Sequence, residues 1–135
     1  MKVFVDSDVV ISSLISDTGA SAQLLKTNNE IKKIISNLSQ KELEIVKARL
    51  KIDRPLPKLE TIIISNIKKY SIYSTDPNDA HIVAGAHQAK ARFLITYNLK
   101  HYRIEKIKQD MNIIVMTPGT FLQYLRLGKK VITGD

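Results

Sequence analysis

The chain has 135 residues and a mass of 15.3 kDa, with 21 Lys and Arg against 13 Asp and Glu, a formal net charge of +8 and a pI near 9.7. A chain of this length holds one domain that buries roughly two-thirds of its unfolded surface, which excludes a two-domain enzyme. Apolar residues at 44% and charged residues at 25% exclude a disordered or fibrous chain, and the lack of cysteine excludes disulfides, thiolate zinc sites, Cys nucleophiles and iron–sulfur ligation together.

Any metal must therefore be held by oxygen or imidazole. The N-terminus offers one Lys and three apolar residues before Asp6, far short of a signal-peptide apolar region. The longest uncharged stretch, 111–125, is cut by Pro118-Gly119 and cannot span a bilayer. The expectation is a soluble, cytoplasmic protein with no membrane partner, and the basic excess points to a polyanion or an acidic protein as partner.

Residues 2–5 are a β-branched and aromatic run ending at Asp6-Ser7-Asp8, after which Val9, Val10, Ser13, Leu14 and Ile15 follow helical spacing. A buried strand thus runs straight into a helix. Asp17-Thr18-Gly19 is a turn, 20–29 a second helix, 31–35 a second strand, and 36–50 a helix with a Ser39-x-x-Glu42 capping signal. Beyond the break at Arg54-Pro55-Leu56-Pro57, the spacing of Leu59, Ile62, Ile63 and Ile67 predicts a helix over 57–69 despite three consecutive isoleucines. Residues 71–74 read as a short strand or an irregular approach to a helix that opens at Asp76-Pro77 and runs to about Ala91. A third strand follows at 93–96, a short basic helix at 103–110, a fourth strand at 112–116, and a closing helix at 118–127 with Pro in its first turn. Residues 128–135 read as an exposed tail of the single domain 1–127. Strands alternating with helices predict an α/β fold with a parallel sheet covered on both faces.

In such a sheet, ligands bind beyond the carboxyl ends of the strands. Asp6 follows the first strand, Glu42 lies early in the helix after the second, Asp79 lies in the first turn of the helix from Asp76, and Asn98 follows the strand at 93–96. Carboxylates gathered in one crevice repel one another unless a cation is present, and Mg²⁺ or Mn²⁺ takes carboxylate, amide and water oxygens. Such a metal supports phosphodiester hydrolysis, with lysines and arginines holding the phosphates. Each residue also has a plainer reading. Asp6 or Asp8 caps the following helix, Glu42 completes a capping box with Ser39, Asp76-Pro77-Asn78-Asp79 suits a helix start and its dipole, and Asn98 is a turn residue. His81 and His87 point to different faces of a helix and make no zinc pair. His101 is either a loop histidine or a substrate contact.

In their order and spacing over some 120 residues, these pieces resemble the PIN-domain nucleases, in particular the small single-domain VapC-like toxins of type II toxin–antitoxin pairs. The resemblance rests on residues 3–12, Ile35-Ser36 with Glu42-Leu43, and Asp76-Pro77-Asn78-Asp79 before Ala84-Gly85-Ala86. Residues 93–102, 114–118 and Phe121-Leu122 complete it. It implies a three-layer α/β/α fold with sheet order about 3-2-1-4-5 and an acidic pocket binding Mg²⁺ or Mn²⁺ through Asp6, Glu42 and Asp79, with Asn98 as a fourth catalytic position. Ser7 matches a hydroxyl position that orients the first acid, and Asp8, Asp76 and Thr96 support the pocket. Lys100, His101 and Arg103 are candidate substrate contacts. The implied reaction cuts RNA to leave a 5′-phosphate and a 3′-hydroxyl, and the implied partners are an RNA substrate, a small antitoxin whose Arg faces the carboxylates, and a second copy in a homodimer. Three positions depart from the pattern. Asp8 stands where Asn is frequent, Asn98 where Asp is frequent, and His101 where an Asp is frequent; Glu42 is preferred to Glu44, which points about 200° away around the helix.

Two competing readings remain. Val5-Asp6-Ser7-Asp8 also resembles the start of a haloacid-dehalogenase-type phosphatase, with Asp6 as nucleophile and Asp8 as acid/base, but no acidic pair follows a later strand. The other is an inactive PIN-fold module that binds RNA or protein. Setting Asp6, Glu42 and Asp79 aside from the 13 acids leaves ten against 21 bases, so a basic rim surrounds an acidic centre in the nuclease reading.

Overall fold

The computed structural model describes residues 1–28 and 30–133, the last five by backbone alone. Five strands, β1 (Lys2–Val5), β2 (Lys32–Ser36), β3 (Glu60–Ile62), β4 (Phe93–Ile95) and β5 (Ile114–Met116), form one sheet in the order β3-β2-β1-β4-β5 with every pairing parallel. Phe4 sits beside Ile34 on one side and Leu94 on the other, so β1 is the central strand.

Side chains alternate across a strand, and the chain uses both faces of β1 for core. Phe4, Ile34, Leu94 and Val115 pack on one face against α4 (Ala80–Gln88) and α5 (Ile104–Met111). Val3, Val5, Ile35, Phe93 and Ile95 pack on the other, against α1 (Ser7–Ile15), α2 (Ala20–Leu25), α3 (Asn37–Arg49) and α6 (Pro118–Thr133). This is the expected three-layer arrangement. α4 approaches β1 so closely that a Cβ on Gly85 would lie 2.3 and 2.5 Å from carbons of the Phe4 ring, which is why the helix carries glycine there.

The expected helix over 57–69 is not formed. Glu60–Ile62 joins the sheet edge beside β2, and a 3₁₀ helix spans Ile67–Tyr73. The apolar spacing was coincidental: Ile63 is 85% exposed while Ile64 is buried, and the β-branched run favours extended backbone. The same 3₁₀ helix replaces the alternative of a strand at 71–74, although Ser74 makes an isolated bridge to Tyr102. The expected Ser39-x-x-Glu42 box is also displaced. Ser36 is the N-cap and accepts from the Ser39 N–H at 3.1 Å, so α3 begins three residues earlier than that signal implied. α2 ends at Leu25, and Asn29, which closed the expected helix, lies outside the described residues. The helix expected from Asp76 divides into a 3₁₀ turn, Pro77–Asp79, and α4. α6 runs past Leu127 to Thr133, so the start of the expected tail is helical; the exposure of 129–135 lies outside the described side chains.

The connection between α3 and β3 crosses the outside of the molecule, where Arg54 pairs with Asp17 in the turn between α1 and α2. Among the described residues no helix is long and apolar enough to cross a membrane.

Candidate active site

The chain reaches β2 and β3 on one side of β1, then crosses to β4 and β5 on the other, so the sheet reverses direction of growth between β1 and β4. Connections diverge at such a point and open a crevice beyond the strand ends. Val5 pairs with Ile95, which brings the next residues, Asp6 and Thr96, side by side. Backbone bonds carry the ladder one step further: the Asp6 N–H donates to Ile95 O at 2.9 Å and the Thr96 N–H to Met116 O at 3.0 Å.

Asp6 is buried, and its carboxylate does not cap α1. Its Oδ2 instead accepts from the Thr96 hydroxyl and the Tyr102 hydroxyl, each at 2.9 Å, while Ser7 Oγ lies 3.4 Å from its Oδ1. Asp8, one step into α1, accepts at Oδ2 from the Tyr97 N–H at 3.0 Å and from Asn98 Nδ2 at 3.1 Å, with Thr96 Oγ1 at 3.4 Å. Asn98 therefore orients a carboxylate, and its own N–H donates to Thr96 Oγ1 at 3.1 Å. Asp76 accepts from the Asn78 N–H at 2.9 Å and fixes the turn that presents Asp79, whose Oδ2 lies 3.1 Å from His101 Nδ1.

These residues surround one cleft of about 360 Å³ lined by Asp6, Ser7, Asp8, Glu42, Asp79 and Asn98 among others. His81 and His101 line it as well. Glu44 faces a different depression with Lys47 and Lys51. Lys100, His101 and Arg103 are exposed in the connection after β4, but only His101 lines the cleft.

Burial and the neighbouring Asp6 charge raise Asp8 from 3.8 to about 6. Asp79 is also raised, chiefly by burial, against the opposing pull of His101. Burial and the charge of Asp6 push the Tyr102 hydroxyl far up, so it stays a donor. The carboxylates are thus held near one another without enough compensation. Among the described residues, two buried side-chain polar atoms lack a partner, Asp8 Oδ1 and His81 Nδ1, and both residues line this cleft. Unsatisfied buried polar atoms are rare in native folds, and each signals a missing partner or function.

No three His, Asp or Glu side chains among the described residues converge closely enough to cage an ion. The donor set still fits a hard divalent cation. Mg²⁺ keeps several waters and uses one or two carboxylates, and the free Asp8 Oδ1 and the raised Asp8 and Asp79 are what a cation would relieve.

Sequence reasoning missed Tyr102 and Tyr97 at this site, and it weighed His81 only as half of a zinc pair. Tyr102 was visible only as part of an aromatic-ended motif, and its bond to Asp6 spans 96 residues.

The family model described as PIN domain matches residues 2–100. In fold, the chain is similar to a chain of the crystal structure of VapBC2 from Rickettsia felis bound to a DNA fragment from their promoter. The TM-score is 0.57 at 19% identity, covering 87% of this chain and 98% of that one. It is also similar to a chain of the structure of FitAB bound to IR36 DNA fragment, with a TM-score of 0.52 at 15% identity over 86% of this chain and 94% of the other. No curated protein sequence matches it. With its sheet order, its acidic cleft at the strand ends and the match over most of its length, the chain belongs to the PIN-domain family.

Proposed function

We propose that the protein is a Mg²⁺- or Mn²⁺-dependent endoribonuclease and the toxin of a toxin–antitoxin pair. The observation that carries this reading is the cleft itself: an acid cluster with Asp6 buried, Asp8 and Asp79 half-buried and Glu42 exposed, with both partnerless buried side-chain polar atoms of the described residues on its lining, in a protein of net charge +8. A pure binder of polyanions gains nothing from such a cluster.

Asp6, Glu42 and Asp79 would hold the ion, with Asp8 close enough to the same charge to share the load. When bound, the divalent cation lowers the pKa of a coordinated water and neutralises charge developing on the phosphoryl group. Thr96 and Tyr102 fix the orientation of Asp6 by donating to it, and Asn98 does the same for Asp8. Asp76 sets the turn that carries Asp79. Lys100, His101 and Arg103 supply cationic and hydrogen-bonding groups for the phosphate chain on the rim.

The partner, by likeness to VapBC2 and FitAB, is a small antitoxin; an Arg of that partner would meet the carboxylates, and the protein would pair with itself in the cytoplasm. Co-purification of the product of a neighbouring small reading frame tests that part.

The chemistry is tested by incubating a mixed RNA pool with the protein and Mn²⁺, with EDTA and Asp79→Asn as controls, and mapping the ends. Both controls are expected to lower cleavage at least about a hundredfold. Cleavage that survives either control overturns the metal assignment. RNA binding without cleavage in Mn²⁺ or Mg²⁺ would make the protein a binding module.

A further inference from the structure

Tyr97 and Tyr124 are the exposed tyrosines among the described residues, at 44% and 41%, and they differ in surroundings. Tyr124 packs on Phe93 and Phe121, so its ring is an extension of the core. No aromatic ring packs on Tyr97 among the described residues. The residue is nevertheless held at two points: its backbone N–H donates to Asp8 Oδ2 at 3.0 Å, and its ring hydroxyl is 2.6 Å from Oγ of Ser21, a residue of α2 that is 1% exposed. An exposed aromatic side chain ordinarily rotates freely. This one is tied to a cleft carboxylate through its backbone and to a buried hydroxyl through its own, while the residue stays 44% exposed. Asn98, the next residue, lines the cleft, and Thr96, the one before, bonds Asp6.

We infer that the exposed ring of Tyr97 is a stacking platform for an unpaired nucleobase of the nucleotide whose phosphate sits in the cleft. The inference rests on the nuclease reading above and names the side chain that would meet a base beside the cut. Stacking suits this position for three reasons. Every base offers a π-face, so the contact tolerates sequence. A ring already held in place loses little freedom on binding. A base inside an A-form duplex is not available to stack on a side chain, which makes the platform a filter for loops and single strands.

The experiment uses the full chain and single-stranded RNA oligonucleotides carrying one abasic nucleotide at successive positions around the mapped cut. One position is expected to raise KM about tenfold with little change in kcat, the scale of losing one base–aromatic stack. Tyr97→Leu should raise KM on the intact oligonucleotide by a similar factor and be insensitive to the abasic substitution at that position. Tyr97→Phe, which keeps the ring, should recover most of the lost affinity. The chain contains no tryptophan, so Tyr97→Trp places a single, selectively excitable tryptophan on the rim; single-stranded RNA should quench it, and a duplex or the abasic oligonucleotide should not. Cleavage with no sensitive position in the abasic scan overturns the inference and leaves the nuclease reading standing. So do additive losses from Tyr97→Leu and the abasic substitution. Failure of the parent protein to bind or cut any RNA overturns the nuclease reading, and the platform with it.

Discussion

Two concavities of nearly equal size lie at opposite ends of the sheet, about 360 Å³ beside Asp6 and about 340 Å³ beside Lys90, and their polar residues are there for different reasons. At the Lys90 end the polarity is explained by the fold. Lys90 and Asn112 adopt left-handed backbone, with φ of 58° and 56°, after the ends of α4 and α5, and Ala91 and Asn112 return N–H groups to helix carbonyls at 3.0 and 2.9 Å. Arg92 extends the ladder by donating to Lys2 O, and His87 Nδ1 meets the Tyr70 hydroxyl at 2.7 Å. At the Asp6 end, α1 starts without using the Asp6 side chain, and Asp8 carries a buried oxygen with no partner. Size does not separate the two ends; the sign of their charge does, acidic beside Asp6 and basic beside Lys90, and so does polarity that the fold does not need.

Tyr102→Phe gives the largest effect of three substitutions that probe this contrast. It keeps the ring packing and removes one of two hydroxyls on Asp6 Oδ2. Loss of a hydrogen bond to a buried carboxylate is expected to lower stability by about 1–3 kcal/mol and Mn²⁺-dependent cleavage by about tenfold or more. Thermal melting and single-turnover rates check this, and a variant equal to the parent in both would make the contact idle.

Asp8→Asn should move the other way in stability. The Asp8 carboxyl lies higher in the folded protein, about 6, than its ordinary 3.8, so the native state holds a proton that the unfolded state releases between those values. Metal-free protein therefore loses stability as pH rises through that window. The Asn variant should melt several degrees higher than the parent at pH 8, with the gain disappearing near pH 4, and Mn²⁺ should narrow the gap by stabilising the parent more. A gap independent of pH and metal would mean that the charge of Asp8 is already balanced.

The smallest effect is expected at the far end. Lys90→Gly relieves a left-handed non-glycine residue and should change stability by no more than about 1 kcal/mol, in the stabilising direction. Cleavage should stay at the parent rate. A large loss of activity would give the basic concavity a role that the comparison denies it.

Much of this was legible in the sequence where one residue's neighbours are local. β1 announced itself by an apolar run ending in acids, and Asp76-Pro77 by the chemistry of a helix start. Asp6, Glu42, Asp79 and Asn98 were drawn to one place by the rule that sites lie beyond strand ends, and all four line one cleft. β3 was not legible because an edge strand of three residues carries too little pattern to outweigh a chance helical spacing. The cap of α3 was misplaced because Ser36 and Ser39 are equally good caps, and strand pairing of Ser36 with Ile62 decides between them. Tyr97 and Tyr102 escaped notice because their partners are fixed by tertiary contacts: Ser21 is 76 residues from Tyr97.

The two backbone bonds that prolong the ladder past β1 and β4 also divide the cleft by rate. The amides of Asp6 and Thr96 are bonded to neighbouring strands inside the most buried part of the sheet, so they should exchange with solvent only through opening of the whole domain. Asp79, Asn98 and His101 stand in or beside short 3₁₀ turns, whose few bonds open in smaller events. The strand-end part of the cleft is therefore as persistent as the fold, while the turns that carry Asp79, Asn98 and His101 should open in smaller and more frequent events.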